Sequence, residues 1–198
     1  MQKIMFNDRY GLTQAVLKGR KTMTRRIITD VKVIQYLLEI EEDGTLNDTD
    51  PDVQCIIDYK AKFKVGETVG VAQSYHQIEK EIEKKGLPPL NLKGTFLKSA
   101  GYNNKMFVCA DLMPHQIRIT KVRIERLQDI SDEDCLKEGI IEDFKGVQYA
   151  FPTNVGYCGQ YPFDTAKKAF AALIDKVSGK GTWDSNPFVF VYEFEIFK

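Results

Sequence analysis

Eight residues hold most of the reactive chemistry of this chain: Gly19-Arg20-Lys21-Thr22-Met23-Thr24-Arg25-Arg26. The plainest reading of such a run is a solvated basic turn. A second reading is a phosphate cradle, with Arg and Lys as donors at the turn. A third is a nucleophile site. A lysine crowded by arginines loses its proton more easily, because like charge disfavours the ammonium form. A neutral Lys21 then accepts the hydroxyl proton of a nearby threonine. In a regular strand Lys21 and Thr24 point to opposite faces, so this reading requires Lys21 to sit in the turn before the pleat begins.

A carboxylate stands in a second candidate segment, Gln128–Gly139. Ser131 is a good N-cap for a short helix over Asp132–Glu138, with acidic residues in its first turn and Gly139 to end it. Most of these acids are expected on a solvated face. Glu138 differs, because it stands at the helix C-terminus, where the dipole opposes its ionised form. A third segment is Trp183-Asp184-Ser185-Asn186-Pro187-Phe188. Its lone tryptophan either caps the core or offers a stacking surface for a base. Cys55, Cys109, Cys135 and Cys158 are scattered without a C-x-x-C pair, and there are two histidines, so neither a metal site nor a cofactor is expected.

The elements that must position these groups follow from periodicity. Leu12, Ala15 and Val16 recur at helical spacing, which predicts a short helix over Tyr10–Lys18 capped by Gly19, then a strand over Thr22–Ile28. Residues 31–63 stay ambiguous between helix and strand, with a turn at Asp43-Gly44. Val65-Gly66-Glu67 predicts a turn into a strand at Thr68–Ala72, and His76–Gly86 a charged surface helix. Ile117 and Ile119 alternate with polar residues, as do Val122 and Ile124, but the phase slips between the pairs. That slip predicts a bulge or bend near Thr120–Lys121. Leu87–Tyr102 and residues 141–163 are expected as irregular loops. An amphipathic helix follows over Thr165–Val177, then a last strand over Phe188–Phe197. Separated strands with few intervening helices point to an α+β fold and a small barrel rather than a βαβ sheet.

Twenty-eight basic and 28 acidic residues cancel, so no global field attracts nucleic acid and any such contact must be local. No stretch approaches a membrane span, and the N-terminus lacks the apolar core of a signal peptide. With free thiols, this predicts a cytoplasmic protein without a membrane partner.

Taken in order, GRKTMTRR, Val65-Gly66-Glu67, ITKVRIERLQDISDEDCLKEGI and WDSNPFVFVYEFE resemble the ASCH family of the PUA-like superfamily, in the form of its larger bacterial and phage members. The resemblance runs from residue 9 to the C-terminus. It implies one domain over residues 1–198, a PUA-like small mixed or antiparallel β-barrel flanked by short helices, with insertions near 31–63 and 76–116. Small members of the family deacetylate N4-acetylcytidine. Carried onto this chain, that activity implies Lys21 as general base, Thr24 as nucleophile and Glu138 as proton donor. Arg26 would hold substrate or the developing oxyanion. Arg20, Arg25, Trp183 and Asn186 complete the expected set that binds a nucleoside or single-stranded RNA. Two other readings stay open: a non-catalytic RNA-binding module, and a protein-interaction factor of phage or mobile-element origin.

Overall fold

The computed structural model describes residues 1–44, 46–86, 99–143, 145–151 and 162–197. Its centre is a five-stranded sheet in the order β1 (Gln2–Ile4), β3 (Thr68–Val71), β4 (Gln116–Arg126), β7 (Phe188–Ile196) and β2 (Met23–Ile27). The β1–β3 pair is parallel, and the other three ladders are antiparallel. The remaining strands, β5 (Ile141–Glu142) and β6 (Tyr149–Ala150), form a separate two-stranded ribbon. The architecture is thus a mixed α+β fold. The expected barrel is not closed: β1 and β2 lie at opposite edges of the sheet, and no ladder joins them among the described residues.

The bulge falls where the alternation slips. Ile119 pairs with Phe194 and Lys121 with Glu193, which leaves Thr120 as the extra residue of β4. One added residue returns Val122 and Ile124 to the face of Ile117 and Ile119, and all four are buried.

Among the described residues six α-helices flank the sheet, and side chains start most of them. Asp30 caps α2 (Val31–Glu42), and Asp50 with Pro51 at the first position caps α3 (Pro51–Lys60). Ser74 and Gln77 form a reciprocal capping box on α4 (Tyr75–Lys84). Ser131 caps α5 (Asp132–Lys137), and Thr165 caps α6 (Ala166–Ser178). The segment left ambiguous by its apolar run is helical. Its residues Val33, Leu37, Ile40, Val53, Ile56 and Ile57 join the main core together with Ile119, Tyr192 and Phe170. The charged helix α4 is amphipathic and packs Tyr75 and Ile78 into a second, smaller core with Ala72, Val108 and Met113. Most of the expected loop over Leu87–Tyr102, and residues 152–161 of the next one, lie outside the described residues. No described helix is long and apolar enough to cross a membrane.

Helix α1 (Leu12–Leu17) ends in a way that fixes the basic segment. Gly19 takes a left-handed φ of 70°, which a residue with a Cβ adopts at a cost. The chain then folds back, and the N–H groups of Arg20 and Lys21 both donate to the Ala15 carbonyl, at 2.9 and 3.0 Å. Lys21 therefore precedes the strand, which begins at Met23.

Candidate functional site

Two backbone links seat the basic turn on the end of α5. The Thr22 N–H donates to the Lys137 carbonyl at 2.9 Å, and the Lys21 ammonium donates to the Glu138 carbonyl at 2.7 Å. Gly139 follows with φ 103°, turning the chain away and leaving room beside Leu12, Ala15 and Lys21. The outcome is a contact between residues 117 positions apart: Lys21 Nζ lies 2.5 Å from Glu138 Oε2. Both side chains are buried, at 2 % and 6 % exposure.

The carboxylate has a second partner. Arg25 Nη1 reaches Glu138 Oε1 at 3.2 Å, while the same guanidinium holds Glu125 at 2.7 Å and Asp134 at 3.1 Å. Arg123 extends the network by binding Asp134 at 2.6 Å, Glu125 at 3.0 Å, and Glu193. The Arg25 side chain is 1 % exposed and its donors are committed to carboxylates and the Met23 sulfur. Its position suits orienting Glu138 rather than meeting a ligand.

Charge and burial act on Lys21 in opposite directions. Burial pushes its pKa down; the Glu138 carboxylate pulls it up; Arg26 and Arg25 push it down again, and the net direction is below 10.5. Two cation–aromatic contacts close the wall, since Lys21 Nζ and the Arg26 guanidinium each lie 5.8 Å from the Phe6 ring centre.

Thr24, Lys21, Glu138, Arg25 and Arg26 line one cavity of about 290 Å³, closed by Phe6 on one side and by Phe170 and Leu173 of α6 on the other. Thr24 is buried, and its hydroxyl has no hydrogen-bond partner among the described residues. The cavity follows the open edge of β2. Ladder bonds from the Phe194 N–H to the Thr22 carbonyl, and from the Ile28 N–H to the Phe188 carbonyl, fix the phase of that strand. By alternation the peptide groups of Met23, Arg25 and Ile27 face the open edge. The backbone N–H of Arg25, beside Thr24, is thus an available donor that side-chain motifs do not reveal.

Arg26 stands at the mouth of the cavity, where its Nη2 donates to the Met5 carbonyl at 2.7 Å. The other expected binding residues are placed elsewhere. Arg20 is exposed and is not part of the lining of the Thr24 cavity. Trp183 packs edge-on against Phe170, ring centres 6.2 Å apart, as a cap on the core. Asn186 takes a left-handed φ of 42°, and its Oδ1 accepts the Gln128 N–H at 2.8 Å. That is a turn role, and asparagine tolerates the conformation.

This arrangement can hold a proton between a buried amine and a buried carboxyl in a cavity that the Thr24 side chain also lines. No protein-family model, curated protein or solved structure matches the chain.

Proposed function

We propose that the chain is a PUA-like protein of the ASCH type, and that it hydrolyses the acyl amide of an N-acylated nucleobase of the N4-acetylcytidine kind. The observation that carries this reading is the buried Lys21–Glu138 contact opening on the cavity that Thr24 lines. In the reaction, Thr24 Oγ attacks the acetyl carbon and its proton passes to neutral Lys21. The tetrahedral oxyanion is met by Arg26 and the Arg25 backbone N–H. The C–N bond then breaks, and the leaving nitrogen takes a proton from the Glu138 carboxyl, which recovers one from the Lys21 ammonium 2.5 Å away. Water next attacks the acyl-threonine, loses a proton to Lys21, and releases acetate as Thr24 Oγ is reprotonated. The downward push of burial on Lys21 favours the neutral amine that the first step requires.

The test is incubation with N4-acetylcytidine, following cytidine release. Thr24→Ala is expected to lower kcat by at least about 10³-fold with the fold intact by circular dichroism. Activity that survives this change overturns the mechanism.

A non-catalytic RNA-binding module is the second reading, favoured by one observation. Lys21 and Arg25 are saturated by acids, as in an ion pair that only holds segments together. It predicts salt-sensitive RNA binding without turnover, weakened by Arg26→Ala.

A further inference from the structure

On the far side of Arg26 lies a larger cleft of about 430 Å³, which shares Met5, Arg26 and Ile27 with the Thr24 cavity. Its outer wall comes from the segment over 31–63: Val33 of α2, Lys60 at the end of α3, then Lys62 and Phe63. Lys3 of β1 and the rings of Phe190 and Tyr192 complete it.

The charges in this cleft do not cancel. Asp30 is its acid, and Lys60 neutralises it at 2.9 Å. Lys3 donates to two neutral carbonyls, of Met106 and Val108, at 2.6 and 2.8 Å. Arg26 likewise spends its Nη2 on the neutral Met5 carbonyl. Lys62 is exposed and has no carboxylate partner among the described residues. Lys62 thus faces the cleft without a carboxylate partner, beside Arg26, whose charge is shared with Glu138, while the Lys3 ammonium is turned to carbonyls outside the lining. Lys62 is also anchored, because its backbone N–H donates to the Tyr192 hydroxyl at 3.0 Å. Tyr192 belongs to β7 directly opposite Thr24, so the two concavities share one ladder rung.

We propose that this cleft is a phosphate subsite. It would take the phosphate attached to the nucleoside whose base enters the Thr24 cavity, which makes the substrate a nucleotide or a nucleotide within a strand rather than a free nucleoside. Two basic side chains, Arg26 and Lys62, in one cleft with the Phe190 and Tyr192 rings suit a phosphate bearing a sugar. The inference rests on the hydrolase reading for the base, and on the cleft itself for the phosphate.

The experiment compares N4-acetylcytidine, its 5′-monophosphate and a trinucleotide with central N4-acetylcytidine. The expected kcat/KM is at least tenfold higher for the phosphate-bearing compounds, falling with salt. Lys62→Glu is expected to cut the ratio of phosphate-bearing to nucleoside kcat/KM about tenfold, and Lys62→Gln by a smaller factor of the same sign. Equal gains for monophosphate and trinucleotide assign the subsite to a single phosphate; a further gain for the trinucleotide assigns it to a strand. Equal kcat/KM for all three compounds, or ratios unmoved by Lys62→Glu, overturns the subsite while leaving the hydrolase reading standing. If none of the three is turned over, the hydrolase reading fails, and the subsite is judged by fluorescence anisotropy of the labelled trinucleotide. Binding weakened tenfold by Lys62→Glu then upholds it, and unchanged binding overturns it.

Discussion

The contact between Lys21 and Glu138 brings two ionisable groups out of water, so its energetics are those of a buried pair. Removing one partner leaves an uncompensated charge, and Glu138→Gln is expected to destabilise the fold by about 3–5 kcal/mol. Replacing both, as Lys21→Met with Glu138→Leu, is expected to recover most of that loss. Urea unfolding of Lys21→Met, of Glu138→Leu and of the double variant measures the coupling directly; additive losses would mean that the pair does not interact. The pH dependence follows from the downward direction at Lys21. Between its folded pKa and 10.5 the unfolded chain holds a proton that the folded chain lacks, so stability from this group rises with pH across that window. Its unfavourable contribution is fully present below the folded pKa. Lys21→Met should remove the slope, which unfolding midpoints at successive pH values below 10.5 would show. Part of this was legible: the end of the helix at Gly19 already requires Lys21 to lie outside the strand. Grouping Arg25 with Arg20 and Arg26 missed a signal that was there, because adjacent strand residues face opposite ways. The packing of Trp183 on Phe170 and the bond between Asn186 and Gln128 are tertiary facts that spacing does not announce.

Among the elements, those with local punctuation were readable and those without were not. Ser131 starts its helix where the capping chemistry places it, the apolar stripe after Thr165 marks the last helix, and the phase slip in β4 marks its bulge. The helices α2 and α3 were hidden because their apolar runs are short, and packing against the sheet decided their form. The bulge gives an element-scale prediction. Thr120 is exposed, so Thr120→Ala should change stability by no more than about 0.5 kcal/mol. Deleting Thr120 instead sets Ile117 and Ile119 out of phase with Val122 and Ile124. Each displaced isoleucine forfeits about 1.5–3 kcal/mol of burial, enough to erase most of a marginal fold. Thermal melts of the two variants would separate these outcomes; a deletion that melts like the parent would refute the register.

Across the whole molecule one main core ties residues from Ile4 to Phe194, including both helices of the 31–63 segment. Its integrity can be read from thiols. Cys135 is buried and its pKa is pushed up to about 12, with burial the largest cause, whereas Cys55 and Cys109 are exposed. Alkylation at pH 8 with peptide-resolved mass spectrometry should label Cys55 and Cys109 promptly. Cys135 should label only at the rate of global opening. Fast labelling of Cys135 would mean that α5 detaches locally, and with it Glu138. The order of the sheet carries a consequence for biosynthesis. Among the described residues strand β2 pairs only with β7, which is translated long after it. At about 5–20 residues/s a ribosome leaves Lys21 and Thr24 waiting on the order of ten seconds for that partner. The nascent chain must shelter a bare strand throughout, and a product stalled before Phe188 would have no pocket to assemble.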